Sequence, residues 1–175
     1  MSIQFIKKIA IPVAFLILLI AIDQFTKYLA VLYLMPIGEY VLIEGVFSLL
    51  YLENAGMAFG LLQGGRWIFV VVTVFALGFM AFYYITMPHS RYHTVLRAFL
   101  LMLAGGGIGN FIDRLLNGFV VDFLYFSLID FPVFNVADIF IVVGTIGIGI
   151  MVIFIKEPQV SQNRISFSRK IKRKS

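Results

Sequence analysis

Residues 104–123, AGGGIGNFIDRLLNGFVVDF, begin as a glycine-rich apolar helix and then set Asn110, Asp113 and Arg114 within five residues of one another. An amide, a carboxylate and a guanidinium are expensive inside a bilayer and mark a functional position there. The setting is a bilayer: 61% of the 175 residues are hydrophobic and 13% charged, and mean hydropathy is +0.99. A soluble surface needs about 25% charge. The fold class expected is a mainly α membrane protein, one polytopic domain over residues 1–175, without internal repeats.

Four apolar stretches suit a hydrocarbon core of about 30 Å, which takes roughly 20 helical residues. They cover approximately 9–34, 67–87, 95–116 and 135–155. The first follows Lys7 and Lys8 like a signal peptide, but it is too long and carries Asp23 and Lys27, so it is read as a retained span. Eleven of the fourteen basic residues fall at the N-terminus, between spans two and three, or in the tail 156–175. That asymmetry predicts cytoplasmic termini and external loops at 35–66 and 117–134. The basic tail suits anionic lipid headgroups better than nucleic acid, and no nucleic-acid partner is expected. Gly, Pro and alternating apolar positions in both outer loops, as in EYVLIEGVFSLLYLEN, predict strand pairing there, a small extracytoplasmic β-rich cradle resting on the membrane surface.

With no cysteine, thiolate chemistry and disulfides are excluded. Asp113 lies 18 residues above Val95, and Asp138 lies 17 residues before Ile155. At about 1.5 Å per residue these are ~27 and ~26 Å, the same depth, just below the outer surface. Two close carboxylates share a proton and supply an acid and a base for hydrolysis; alternatively, each caps a helix or pairs with Arg114. Asn110, Asp113 and Arg114 have i, i+3 and i, i+4 spacings on a helix, and Asn135 precedes Asp138 by three. Gly105, Gly106, Gly107 and Gly109 are read as helix-packing positions. Asp23 and Lys27 (i, i+4) are read as a structural pair, Asp122 and Asp130 as loop or turn residues. His89 and His93 fall on the opposite side, and no metal site is expected. A proton-relay transporter or a scaffold with polar interhelical glue are the rival classes.

The motifs DQFTK, ENAGMAFG, GNFIDR, VVDF and FNVAD, in that order between residues 23 and 138, resemble those of the bacterial lipoprotein signal peptidases (signal peptidase II). The resemblance implies an intramembrane aspartic peptidase of the cytoplasmic membrane. Its substrates would be diacylglyceryl-modified prolipoproteins, cut on the amino side of the lipidated cysteine. It implies Asp113 and Asp138 as the catalytic pair, and Asn54, Gly56, Asn110, Arg114 and Asn135 as substrate- and inhibitor-lining residues. Asp23 and Lys27 look like the family's structural pair, and Asp122 like its loop-stabilising position. Membrane lipids and the inhibitor globomycin are the further expected partners, with no metal or organic cofactor. Met57 departs from the alanine usual in the family.

Overall fold

The computed structural model describes residues 3–56, 66–155 and 157, the side chains of 3–8 excepted. Met57 and, Glu157 aside, the basic tail lie outside them.

Helix α1 (Ile3–Leu29) runs on as a π-helical segment, Ala30–Leu34. A hairpin follows, strand β1 (Glu39–Ile43) turning through Gly45 at φ +68° into β2 (Phe47–Asn54). A positive φ is where glycine carries no Cβ penalty. Helix α2 spans Arg66–Thr86 and α3 Arg91–Leu116. Strand β3 (Val120–Tyr125) and helix α4 (Val136–Phe154) complete the order. Among the described residues, four helical stretches are long and apolar enough to cross a membrane: Ile9–Leu34, Arg66–Thr86, Arg91–Leu116 and Val136–Phe154. This is a multi-pass membrane protein.

The three strands form one antiparallel sheet, order β1-β2-β3. Glu39 pairs with Leu50, Ser48 with Tyr125, and Asn54 with Val120. The two connections expected to hold strands therefore pair with each other. The sheet is seated on the end of α1 by a cluster of Ala30, Leu34, Val121 and Phe123.

Helix α3 is central and packs on α1, α2 and α4. Its glycines make this possible. A Cβ at Gly106 would collide with the Ala137 carbonyl and Ile141, and one at Gly109 with the Asp23 carboxylate. Helix α2 has no buried residue and shows apolar side chains on every side, as a helix facing lipid does. At the end away from the sheet, Ser90 caps α3, its Oγ accepting from the His93 N–H at 3.2 Å. Arg97 donates to the Tyr84 carbonyl in the last turn of α2 and to the Met87 carbonyl just past its end. His93 is buried there, 20 residues or ~30 Å from Asp113 by helical rise.

Candidate active site

At the sheet end, a cavity of about 850 Å³ opens between α2, α3, α4 and the connection after β3. That is a volume typical of ligand sites. Asn54, Gly56, Thr73, Asn110, Arg114, Asp122, Asp130 and Asp138 supply its polar lining; Phe69, Phe131, Phe134 and Ile139 are among the apolar residues. Arg114 lies over the Phe69 ring, 4.7 Å from its centroid, and reaches the Gly56 carbonyl at 3.4 Å.

Two carboxylates, Asp122 and Asp138, meet at Asn135. Asn135 is the N-cap of α4: its Oδ1 accepts from the Asp138 N–H at 3.1 Å, and Asp138 Oδ2 accepts from the Asn135 N–H at 3.1 Å. This reciprocal capping box fixes the entry of α4. Because a backbone N–H can only donate, Asn135 must present its amide nitrogen elsewhere. That nitrogen donates to Asp122 Oδ1 at 2.6 Å and to Asn110 Oδ1 at 3.1 Å.

The same logic orients the other two amides. Gly56 N–H donates to Asn54 Oδ1 at 3.1 Å, so Asn54 Nδ2 is left to donate to Asp122 Oδ2 at 2.8 Å. Lys27 Nζ, which has no acceptor, donates to Asn110 Oδ1 at 2.8 Å, turning Asn110 Nδ2 toward Asp138 Oδ1 at 2.8 Å. Each oxygen of both carboxylates thus receives one locked donor.

Behind this layer sits a second charged group. Lys27 Nζ is 2.9 Å from Asp23 Oδ2 and 3.0 Å from Asp113 Oδ2, all three buried. Each of these carboxylates also holds an element. Asp23 Oδ1 accepts the Ala137 N–H at 3.0 Å, capping from α1 the orphan amides at the start of α4. Asp113 Oδ2 accepts the Val121 N–H at 3.2 Å, pinning β3 against α3. Gln24 Nε2 joins the group through Asp113 Oδ1 at 3.0 Å, the Gly109 carbonyl at 3.2 Å and Asp23 Oδ2 at 3.1 Å.

The pairing therefore differs from the one expected. Asp113 reaches the anticipated depth but faces α1, and it is not among the cavity-lining residues. Successive helical residues are rotated by about 100°, so Asp113 and Arg114 diverge on either side of Asn110. Asp122, expected to steady a loop, faces the cavity from a strand. Burial is the main cause that pushes its carboxyl from 3.8 up to about 7, with the charge of Asp138 adding to it. The Asn54 and Asn135 hydrogen bonds and the charge of Lys27 oppose the rise. An aspartate within the apolar strand VVDF was the available signal, since strands are depleted in Asp. Gln24 was missed, although an amide beside the Asp23 carboxylate in an apolar helix is costly in lipid for the same reason as its neighbours.

The family described as signal peptidase (SPase) II matches residues 15–154. A lipoprotein signal peptidase of Caldanaerobacter subterraneus subsp. tengcongensis is 49% identical over 143 residues, covering 81% of this chain and 93% of the relative. One from Streptococcus pyogenes serotype M5 is 45% identical over 132 residues, 75% of this chain and 85% of the relative. A solved structure, described as a bacterial membrane enzyme determined by the in meso method at 2.3 Å resolution, superposes with a TM-score of 0.74 at 31% identity. It covers 87% of this chain and 96% of its own. With a match along nearly the whole described chain, this protein belongs to the signal peptidase II family of membrane peptidases.

Proposed function

We propose that the protein is an intramembrane aspartic endopeptidase that removes signal peptides from diacylglyceryl-modified prolipoproteins, with Asp122 and Asp138 as its acid–base pair. The observation that carries this is the double engagement of Asn135, which bonds both Asp122 and Asp138 and so fixes them relative to each other. Family membership supplies the substrate class; the geometry favours Asp122 over Asp113 as the partner of Asp138.

In the resting pair the proton resides on Asp122, whose raised value keeps it protonated up to about pH 7, and Asp138 is the base. Asp138 takes a proton from water as the oxygen attacks the scissile carbonyl carbon. Asp122 gives its proton to the carbonyl oxygen. Collapse of the resulting diol returns a proton to Asp122, while Asp138 protonates the leaving nitrogen and the C–N bond breaks. Arg114, Asn54 and Gly56 lie where the extended substrate backbone needs partners that lipid cannot supply.

The lipid on the cysteine holds the scissile bond at the bilayer surface, and the sheet end of the bundle is at that level. The distribution of basic residues supports placing this end on the outside of the cytoplasmic membrane, with both termini in the cytoplasm. Globomycin is expected to occupy the same cavity. The test is incubation of purified protein with a lipidated prolipoprotein, with and without globomycin. Cleavage directly before the modified cysteine, suppressed by globomycin, is the expected result; intact substrate contradicts the proposal.

A further inference from the structure

The cavity continues inward past the asparagines. Helices α2 and α4 both rest on α3, and the space between them has Phe69 and Thr73 on one wall, Ile141 and Val142 on the other and Gly107 at its floor. A Cβ at Gly107 would meet only the Leu77 side chain, at 3.9 Å. Unlike Gly106 and Gly109, this glycine faces open space. Thr73 lies seven residues along α2 from Arg66, ~10 Å below the sheet end by helical rise.

The chain has five threonines. Thr26, Thr86, Thr94 and Thr145 each return the hydroxyl to a carbonyl three or four residues back, at 2.8, 2.9, 2.9 and 2.7 Å. That bond is the usual refuge of a helical threonine hydroxyl in an apolar setting. Thr73, with the Phe69 carbonyl four residues behind it, makes no hydrogen bond among the described residues and lines the groove instead. The Thr73 side chain is half-buried, and a hydroxyl with no partner on its own chain is left to bond whatever enters the groove. An acyl chain lying in the groove offers it nothing; a peptide backbone offers a carbonyl.

We propose that Thr73 is a positioning residue for the substrate: its hydroxyl donates to a backbone carbonyl of the extended signal-peptide segment a few residues before the cut. This rests on the peptidase function proposed above. The segment is placed on the amino side because the groove runs deeper than the carboxylates, and the apolar part of a signal peptide is what lies in the bilayer. The hydroxyl would then fix how far the chain advances before the scissile bond meets Asp122 and Asp138.

The experiment uses full-length Thr73→Val and Thr73→Ser proteins and a lipidated prolipoprotein peptide, together with variants of that peptide carrying one ester in place of an amide at each position before the cut. Asp138→Asn is run alongside. Loss of one hydrogen bond predicts that Thr73→Val raises KM about fivefold with kcat nearly unchanged, and that Thr73→Ser restores it. One ester position should cost the wild type a similar factor and cost Thr73→Val nothing further. Three results overturn the assignment: Thr73→Val matching the wild type, Thr73→Val cleaving faster, or both substitutions losing activity equally with no ester position that discriminates. If Asp138→Asn still cleaves, the catalytic proposal has failed instead.

Discussion

Asn135 donates from Nδ2 to Oδ1 of Asp122 across 2.6 Å, while its own backbone N–H serves Asp138 at 3.1 Å. One residue is therefore both the cap of α4 and the spacer between Asp122 and Asp138. Asn135→Ser keeps a capping oxygen but cannot reach Asp122. Serine is as good an N-cap as asparagine, so the cost in stability should be confined to about 1–3 kcal/mol for the buried acceptors left without the amide donor, while turnover falls severely. Asn135→Ala should lose both. Unfolding in detergent, measured beside cleavage of lipidated substrate, separates the two effects.

The pH dependence follows from Asp122. Its carboxyl titrates near 7 in the folded protein against 3.8 without the fold, chiefly through burial. The folded state thus keeps a proton that the unfolded chain releases, so this contribution to stability is fully present below about pH 3.8 and is lost as pH rises through 7. Cleavage should show an alkaline limb near 7, where the acid disappears. The Asn54 hydrogen bond lowers the value, so Asn54→Ala should move that limb to higher pH. A limb that moves down, or stays put in an active variant, contradicts the assignment of the acid.

Lys27 faces two carboxylates, Asp23 at 2.9 Å and Asp113 at 3.0 Å. Removing the cation leaves both charges buried and unpaired, and releases Asn110 to rotate. Lys27→Met should destabilise the fold by about 3–5 kcal/mol, the range for breaking a buried pair. Thermal unfolding in detergent measures this. A fold as stable as the wild type would mean that the group does not hold α4 and β3 in place.

Much of the architecture was legible because the bilayer imposes a simple rule: runs of about 20 apolar residues become helices. The sheet was legible in the alternating EYVLIEGVFSLLYLEN, whose two strands pair with each other and whose second pairs with the segment holding VVDF. The depth of Asp113 was also readable, since rise per residue is fixed. Its direction was not. Depth counts residues, but the face a side chain takes depends on which helix lies beside it, and only the packing of α1 on α3 turns Asp113 to Lys27. Asp122 was hidden for the converse reason: a strand residue has no depth until its sheet is docked, and Val121 docks on the very carboxylate that had been taken for catalytic.

Orientation is tested by labelling intact cells with an impermeant thiol reagent, the chain having no native cysteine. His89 and Glu44 are exposed at opposite ends of the bundle. Cysteine at Glu44 should react and cysteine at His89 should stay shielded until the cells are opened. The reverse pattern would invert the protein in the membrane.

The central claim is that Asp122 and Asp138 do the chemistry while Asp113 holds the strand that carries Asp122. The most direct measurement is cleavage of a lipidated prolipoprotein, per folded molecule, by Asp122→Asn, Asp138→Asn and Asp113→Asn. The account predicts no cleavage by the first two and little further loss when they are combined, because residues acting as a unit are non-additive. Asp113→Asn should be less stable but retain measurable turnover in what folds. Substantial cleavage by folded Asp122→Asn, beside none by equally folded Asp113→Asn, would contradict it.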